Sequence, residues 1–352
     1  MPLIQLKESD LLDIDEACGK ELAKMVELLE GYDYLVLDQN SRGSRMQAKG
    51  CIGLISFDDG TMVNLLPDLP AIRSDDGSSR MLMEMLYSIF GISTRNGLTE
   101  NLFEFFIKVF TDSVSRLLVC GLRSKYHLVS GNEKAFKGRI VFNEHIRQNY
   151  IHKERIYVEY ETYSQNRPEN RLIKTTLETL SRLSTDSNNL KRLKTLVLEM
   201  EEIPQSADVD RDLGMVMVDR NMVDYIPTLF WCNLFLKGMG LAGASRDNLP
   251  YAMVIDTASV YSAYVAKMST IERNDGMYQI RYNAEVRNEG DSKDISVILI
   301  DLSWNFYDRE KDRNINDAEL LYISAPGYRV IPGASRDRLK SMAGSYLSDV
   351  LA

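Results

Sequence analysis

Two hydrophobic periods in one chain of 352 residues constrain the fold more than any other feature of the sequence. Over residues 100–122 the apolar side chains recur at helical spacing, which predicts a long amphipathic helix. Residues 51–57 and 61–65 have strand-like composition, and the Asp58-Asp59-Gly60 sequence between them is typical of a hairpin turn. A chain with both patterns that is too long for one small core is expected to be a mixed α/β (α+β), multidomain protein.

Four segments follow from the order of the predicted elements. Residues 1–95 are predicted to form a β-rich N-terminal module, which opens with a helix over about residues 15–30 that ends at Gly31. Residues 96–165 hold the long helix and a basic β-hairpin. Residues 166–245 are predicted to be helical, with helices over residues 171–182, 190–200 and 224–241. In residues 246–352 a helix is predicted before two long strands, followed by a further strand over residues 319–324 and a helix from about residue 336.

Composition and charge exclude several classes of protein. The net charge of −9 argues against a surface that binds nucleic acid throughout, and no run of about 18 apolar residues supports a membrane-spanning helix. The start of the chain lacks the pattern of a secretory signal. The four cysteines form no CxxC pair and are expected to be reduced core thiols: Cys18, Cys51, Cys120 and Cys232. We therefore expect a cytoplasmic protein that does not engage a membrane.

A basic segment interrupts this acidic chain. Residues 123–174 contain eleven lysines and arginines against six glutamates and no aspartate. Within them, Tyr126–Val129, a turn at Gly131-Asn132 and Gly138–Phe142 predict a projecting hairpin. Its basic residues are our candidates for binding a partner: Arg123, Lys134, Lys137 and Arg139. Such a segment is either a solvated basic face or a surface for an acidic partner or a phosphate backbone, and composition does not choose between them.

Residues 246–352 contain the candidate catalytic residues of the chain, because the common catalytic motifs are absent from its sequence. The chain has no GxxxxGK[ST] loop, GxSxG elbow, HExxH pair or dinucleotide-binding glycine pattern. PD-(D/E)xK nucleases have a helix followed by two strands that carry acidic residues. Two carboxylates, one from each strand, bind Mg²⁺, and a lysine lies two residues beyond the second carboxylate. Asp301 occupies the second carboxylate position and Ser303 the lysine position. Glu285 is our choice for the first carboxylate, with Asp294 the alternative, although these acids can equally be ordinary exposed residues.

Several short motifs follow one another along the chain. Phe136–Ile140, followed by Glu144, Ile146 and Arg147, is similar to the RGRI…IR signature of the McrC family. Tyr160–Ser164 and Asn170–Lys174 resemble its Y-[DE]-x-[FY]-[ST] and N-R-[LI]-[LI]-K stretches. The stretch that begins with Asp256-Thr257-Ala258 resembles the D-M-x-x-L-F-E-x-Y-V helix of the same family.

The resemblance implies a partner and an activity. Such a subunit inserts a projecting N-terminal element into the central pore of a McrB-like AAA+ GTPase hexamer and stimulates GTP hydrolysis, with GTP bound by the partner and not by this chain. The basic hairpin is the candidate for that element. The resemblance also implies a PD-(D/E)xK nuclease-like domain over residues 246–352 in an antiviral restriction complex that reaches modified DNA.

The chain departs from that family at its catalytic end. Ser262 stands at the helix glutamate and Ser303 at the lysine, and the downstream Q-x-x-x-Y element is not found. An uncharged hydroxyl does not supply the charge that a lysine brings to a phosphate. Lys267 or Lys293 would have to replace that lysine, so the sequence leaves open whether the chain is an enzyme.

Three hypotheses follow from these residues. The first is an adaptor that stimulates the GTPase and has an inactive nuclease site that needs no metal. The second is an active Mg²⁺-dependent endonuclease subunit of the same complex, which metal-dependent cleavage by the purified complex separates from the first. The third is a DNA-binding module without a GTPase partner, which predicts salt-sensitive DNA binding.

Overall fold

Helices and strands alternate along the chain, so the mixed α/β class predicted from the two hydrophobic periods is confirmed. The structure is a computed structural model. It describes residues 3–8, 10–29, 32–40, 43–67, 75–92, 101–217, 220–239, 250–261, 263–264, 278–288, 295–308 and 313–315. The described residues fall into two compact units, one from residues 1–109 with 234–352 and the other from residues 110–233.

The elements of the described residues are numbered in chain order. The strands are β1 (Leu3–Lys7), β2 (Leu12–Ile14), β3 (Leu35–Asn40), β4 (Gly43–Ala48), β5 (Cys51–Ser56), β6 (Met62–Leu66), β7 (Lys125–Glu133), β8 (Arg139–Ile140), β9 (Ile156–Ser164), β10 (Tyr251–Asp256), β11 (Tyr278–Asn288), β12 (Ser296–Asp308) and β13 (Arg313–Ile315). The helices are α1 (Glu16–Leu28), α2 (Asp75–Phe90), α3 (Leu102–Cys120), α4 (Phe142–Asn149), α5 (Pro168–Leu183), α6 (Ser187–Glu199), α7 (Val209–Met215) and α8 (Ile226–Asn233).

The first unit contains a seven-stranded sheet, counted over the part of the chain that the structure describes. Its strand order is β1-β6-β5-β10-β12-β11, and β13 pairs with β12. β5 pairs antiparallel with β6, and β11 pairs antiparallel with β12, so both predicted hairpins of this unit are confirmed. A second sheet has the order β2-β4-β3.

β10 is a strand that the sequence patterns do not predict. Its apolar run is short and does not alternate, because the strand lies inside the sheet between β5 and β12 and both of its faces are buried. β5 belongs to the predicted segment 1–95 and β12 to the predicted segment 246–352, so β10 joins strands of both segments in one unit. Gly53 of β5 permits this close pairing, since a Cβ there would lie 1.9 Å from the backbone oxygen of Met253.

The helix α1 shares a hydrophobic core with one face of the large sheet. Asp15 precedes the helix and accepts a hydrogen bond from the backbone N–H of Cys18 at 2.7 Å, so the helix begins where the sequence predicts. The apolar face of α1 and alternate residues of the strands are buried together, and among them are Leu22, Met25, Leu65, Val254 and Val297. Gly31, the predicted end of this helix, lies outside the described residues.

Three of the four cysteines are core thiols, as predicted, and one is not. Cys18, Cys51 and Cys232 are buried, whereas Cys120 at the end of α3 is exposed. Burial raises the pKa of each of the three buried thiols to about 12, so they stay protonated at neutral pH. The prediction of a core thiol is therefore wrong for Cys120, because it ends a helix on the surface.

The second unit contains a three-stranded sheet in place of the predicted hairpin. β7 pairs antiparallel with β9 along its whole length, and the short β8 pairs with the other edge of β9. The predicted pairing of Tyr126–Val129 with Gly138–Phe142 is therefore wrong, since Gly131 continues β7 instead of forming a turn. Gly138 has a φ of 61°, and a Cβ there would lie 2.3 Å from the backbone oxygen of Glu159, so glycine is required where β8 meets β9.

The helices of the second unit largely follow the predicted periodicity. The helices predicted over residues 171–182 and 190–200 correspond to α5 and α6. The helix predicted over residues 224–241 is interrupted, because a 3₁₀ turn precedes α8 and a π-helical turn follows it. In the described ranges we find no helix that combines the length and the hydropathy needed to cross a membrane.

Candidate functional site

The register of β11 and β12 decides which of the predicted nuclease residues face one another. Asp301 pairs with Asn283, whereas Glu285 pairs with Leu299, so the two acidic residues are diagonal neighbours and not cross-strand partners. Because residues alternate between the faces of a strand, positions 285, 301 and 303 fall on one face of the hairpin. The predicted carboxylate positions therefore share a face, and the residue directly opposite Asp301 is an amide.

Other parts of the predicted site lie outside the described residues. They are Ser262, Lys267, Lys293 and Asp294. The strand predicted over residues 319–324 and the helix predicted from residue 336 also lie outside them. Glu285 and the strand positions of Asp301 and Ser303 are the predicted site residues that the structure describes.

Glu285 is exposed, and both of its carboxylate oxygens accept hydrogen bonds from Arg287. The Arg287 Nε donates to Oε1 at 2.9 Å and Nη2 donates to Oε2 at 3.2 Å. These hydrogen bonds and the positive charge lower the pKa of Glu285 below its ordinary value. Arg287 is itself held in place, because its Nη1 donates to the backbone oxygen of Leu28 at 3.2 Å. Both oxygens of the Glu285 carboxylate are therefore engaged in an ion pair with Arg287.

Replacing Arg287 with glutamine is expected to raise the pKa of Glu285 towards its ordinary value. The lowered pKa depends on the guanidinium, which favours the charged form of the carboxylate at low pH. The titration of the Glu285 carboxyl carbon by NMR measures the change directly. Arg45→Gln, which breaks an ion pair with Asp13 elsewhere in the same unit, is the matched control and leaves Glu285 unchanged. A Glu285 titration that is identical in Arg287→Gln and in the wild type would contradict the assignment.

Asp256 ends β10 beside the strand that carries Asp301. Ile255 pairs with Ile300 on the parallel strand β12, and each aspartate is the next residue after its member of this pair. Sequence reasoning places Asp256 in a family motif but does not identify it as a neighbour of Asp301. The available signal is a short apolar run that ends in a carboxylate at the start of a helix, which is typical of a buried strand that leads into an N-cap.

The side chain of Asp256 has defined hydrogen-bond partners. Its Oδ2 accepts the backbone N–H of Ser259 at 2.6 Å and so caps the helical segment that begins at Thr257. Its Oδ1 accepts the hydroxyl of Tyr34 at 3.5 Å. Burial, and after it the charge of Asp256, raises the pKa of Tyr34. The Thr257 hydroxyl donates to Glu8 at 2.5 Å, which brings a further carboxylate to this end of the sheet.

A separate acidic group lies at the start of α1. The ligand atoms of Asp15, Cys18 and Asp59 lie within 4.8 Å of one another. Asp15 caps the helix, and Asp59 accepts hydrogen bonds from the backbone N–H and the hydroxyl of Thr61, both at 2.7 Å. The Cys18 thiol is neutral, because burial raises its pKa to about 12, and a thiolate is the form that binds metals. A helix cap and a turn account for this group.

Acidic neighbours offset two of the four basic residues predicted to bind a partner. Arg139 forms an ion pair with Glu159 at 2.5 Å. The Lys137 Nζ lies 3.7 Å from Glu133 and 5.2 Å from the ring centre of Tyr160. Exposed pairs of this kind are worth little energetically, but they reduce the net positive charge of the sheet.

The other two basic residues lie at opposite ends of β7. Lys134 directly follows the strand and is exposed. Arg123 precedes the strand, and its backbone N–H donates to the Tyr225 hydroxyl at 2.8 Å. β7 spans about 30 Å between them. The structure therefore does not gather the four predicted residues into one cluster.

A set of exposed apolar side chains on and next to the three-stranded sheet and α4 is the feature that sequence reasoning missed. Its large side chains have exposed fractions between 61% and 82%, and we call them the apolar surface: Tyr126, Leu128, Phe136, Phe142, Ile146, Tyr150, Ile151 and Tyr163. The Tyr126 and Tyr163 rings lie 4.9 Å apart on neighbouring strands. Phe142, Ile146 and Tyr150 follow a spacing of four residues, which aligns them along one side of α4. Large apolar side chains exposed to this extent are candidates for a site of interaction.

The stretch that resembles N-R-[LI]-[LI]-K is buried except for the half-buried Arg171, and its polar side chains hold helices together. Arg171 donates to both carboxylate oxygens of Asp212, at 2.9 and 2.5 Å, and so joins α5 to α7. The Lys174 Nζ donates to the backbone oxygens of Val197 and Met200, at 2.7 and 3.2 Å, at the end of α6. Both residues therefore have structural roles in the second unit.

Large apolar side chains that are as exposed as those of the second unit are typical of a protein that binds a partner. The model of the McrBC 5-methylcytosine restriction system component family matches residues 46–318, which is more than half of the chain. The chain belongs to this family. The resemblance to McrC proteins, which the sequence motifs indicate, is thereby confirmed.

Two solved structures resemble the chain. The first is a chain of the Thermococcus gammatolerans McrBC complex, with 17% identity, coverage of 79% of this chain and 89% of that chain, and a TM-score of 0.49. The second is a chain of a half-complex from the tetradecameric assembly of T. gammatolerans McrB AAA+ hexamers with bound McrC. It is 17% identical, with coverage of 92% of this chain and 84% of that chain and a TM-score of 0.52, which shows a shared fold. A search of curated proteins found no match.

Proposed function

We propose that the protein is a McrC-like subunit of a restriction system that binds a McrB-type AAA+ GTPase hexamer in the cytoplasm and stimulates its GTP hydrolysis. The family match over residues 46–318 carries this proposal, because it spans the whole second unit and the strands of the candidate acidic site. The fold shared with a chain of an assembly of McrB AAA+ hexamers with bound McrC supports the same partner. GTP is bound by the partner, since this chain has no GxxxxGK[ST] loop.

The contact with the hexamer is assigned to the apolar surface of the second unit. Eight large apolar side chains exposed within residues 126–163 are unfavourable in water, and their burial against a partner would stabilise a complex. Lys134, which directly follows β7, adds positive charge, which mainly favours the rate of association, whereas Glu133 and Glu159 offset Lys137 and Arg139. Arg123 contributes through its backbone contacts to the base of the sheet.

The nuclease site of this chain is proposed to be inactive. β12 carries Ser303 in the lysine position, Asn283 lies opposite Asp301, and Arg287 occupies the carboxylate of Glu285. Glu285 would have to release Arg287 to bind Mg²⁺, and the residue opposite Asp301 is an asparagine instead of a second carboxylate. DNA is then reached through the complex as a whole.

An active Mg²⁺-dependent endonuclease subunit is the second candidate function, and one observation favours it. Asp256 and Asp301 directly follow the paired residues Ile255 and Ile300 on two parallel strands. Asp256 would then replace Glu285 as the first carboxylate of the site. The charge that Ser303 does not supply would have to come from a lysine elsewhere in the chain.

GTP hydrolysis by the cognate McrB-like GTPase, measured with and without this chain, tests these functions. The same reactions contain Mg²⁺ and either methylated or unmethylated DNA, so that turnover and cleavage are scored together. Stimulated hydrolysis with intact DNA is the expected result. Cleavage that disappears in Asp301→Ala but persists in Asp13→Ala, an exposed aspartate of β2, would instead establish the endonuclease.

Two further outcomes would overturn the proposed function. If the chain neither associates with the GTPase nor changes its turnover, the assigned partner is wrong. Salt-sensitive DNA binding without any effect on the GTPase is the behaviour of an independent DNA-binding module.

A further inference from the structure

A buried asparagine ties together the two segments by which the three-stranded sheet joins the helices of the second unit. Asn170 lies in the first turn of α5 and is fully buried. Its Nδ2 donates to the backbone oxygen of Gln165 at 2.8 Å and to that of Arg123 at 3.1 Å. Gln165 directly follows β9, and Arg123 lies two positions before β7. One amide group therefore holds the end of one strand and the beginning of its neighbour.

Tyr225 completes this contact from a third element, the 3₁₀ turn before α8. Its hydroxyl donates to the Asn170 Oδ1 at 2.9 Å and accepts the backbone N–H of Arg123 at 2.8 Å. The amide of Asn170 thus uses both its donor and its acceptor group, and both backbone polar groups of Arg123 are bonded. A buried network of this kind is costly to break, because each group left without a partner stays out of contact with water. We call it the Asn170–Tyr225 clamp.

The clamp lies at the base of the sheet. Lys125 and Ser164 form the first cross-strand pair beyond it, and the β7–β9 pairing continues for nine residues to Glu133 and Ile156. The far end of the sheet is therefore about 30 Å from the clamp. A small rotation at the base would move that far end through a much larger distance.

We propose that Asn170 and Tyr225 are positioning residues that hold the sheet in the orientation in which it meets the AAA+ partner, an inference that rests on the proposed function. Asn170 is 0% and Tyr225 1% exposed, so both act through the sheet and not by touching the partner. Without the clamp the sheet keeps its surface but has the competent orientation for only a fraction of the time. The apparent association rate falls to that fraction of its original value, whereas a complex already formed dissociates at its usual rate.

The clamp is tested first on the isolated chain, independently of any partner. Spin labels at Lys134→Cys and Lys194→Cys, in a Cys120→Ser background, report the distance from the far end of the sheet to α6 by double electron–electron resonance. Both lysines are exposed, and the remaining cysteines are buried. Asn170→Ala and Tyr225→Phe are expected to broaden the distance distribution. Tyr225→Phe keeps the buried ring, so it still tests the clamp if Asn170→Ala does not fold. An unchanged distance distribution in a folded variant overturns the proposal.

Two control variants separate positioning from a general loosening of the unit. Asn188→Ala removes an exposed asparagine of α6. Asp212→Asn breaks the buried ion pair between α5 and α7 without touching the ends of the strands. Neither is expected to broaden the distribution. Equal broadening by Asp212→Asn would show that the orientation of the sheet simply follows stability, and it would also overturn the proposal.

Binding kinetics with the immobilised AAA+ hexamer test the functional consequence. Both clamp variants are expected to lower the association rate constant by roughly tenfold, with an unchanged dissociation rate constant and an unchanged GTPase rate at saturation. A faster dissociation with normal association would overturn the positioning role. If the wild-type chain binds no hexamer, the proposed function fails, and the distance distributions still decide whether the clamp orients the sheet.

Discussion

Replacing Phe142, Ile146 and Tyr150 together with serine is expected to weaken binding of the AAA+ partner by about a hundredfold or more without unfolding the chain. Their exposed fractions are 67%, 65% and 81%, so their truncation removes little packing from the free protein. Buried in an interface, a large apolar side chain contributes on the order of 1–2 kcal/mol, and each 1.4 kcal/mol is about tenfold in affinity. The dissociation rate is expected to rise most, because short-range contacts mainly determine it.

Surface-immobilised binding kinetics measure this effect, and urea denaturation of the free chain verifies that the variant is folded. Leu198→Ser combined with Val119→Ser is the matched control. These residues are 68% and 89% exposed in the same unit, on α6 and α3, and they lie outside the apolar surface. Full affinity in the triple variant would place the contact elsewhere, and an equal loss in the control would show that the effect is not specific.

Replacing Asp212 with asparagine is expected to lower the free energy of unfolding by about 3 kcal/mol at neutral pH. The Asp212 carboxylate is 6% exposed and accepts two hydrogen bonds from Arg171 and one from the Ser206 hydroxyl at 2.6 Å. The substitution leaves the guanidinium of Arg171 without a charge partner in a site that water reaches poorly. We expect the lower end of the range for buried pairs, because the Arg171 side chain remains 21% exposed.

The same carboxylate makes stability depend on pH. Burial alone would raise the pKa of Asp212, but the hydrogen bonds from Arg171 and Ser206 outweigh it and hold the pKa below the ordinary 3.8. The contribution to stability is therefore complete above the unfolded-state pKa and is lost as the pH falls through the folded-state value. The difference in unfolding free energy between the wild type and Asp212→Asn should shrink below about pH 4. A difference that stays constant down to about pH 3 would contradict this account, and Arg171→Gln completes the double-mutant cycle.

Elements that depend on neighbouring residues could be predicted from the sequence. The Asp58-Asp59-Gly60 turn joins β5 to β6 as its chemistry indicates, and the capping carboxylate of Asp15 marks the start of α1. The helical spacing of apolar residues predicts α3, α5 and α6 for the same reason. Turn, cap and periodicity are each determined within a few positions along the chain.

Strand partners that are distant in sequence could not be predicted in this way. β7 pairs with β9 although β8 follows it more closely, and β10 pairs with β5 across about two hundred residues. Every strand offers the same backbone donors and acceptors, so its local sequence does not identify its partner. The wrongly predicted hairpin at Gly131 has this cause.

The candidate site shows the same limit. Alternation along a strand is a local property, and it correctly places positions 301 and 303 on one face. The pairing of Asp301 with Asn283, the occupation of Glu285 by Arg287 and the approach of Asp256 depend on register and on contacts between strands.

The sequence by itself determined the mixed α/β class, most helices and two hairpins, and its motifs identified the family, because these follow from residue types at short spacing. Only the tertiary structure decided that β10 unites strands from both ends of the chain and that β9 separates β7 from β8. It also decided that α4 leaves an apolar side exposed and that Asn170 holds the base of the sheet. Burial and hydrogen bonding between distant segments arise only when the whole chain folds, and no local pattern specifies them.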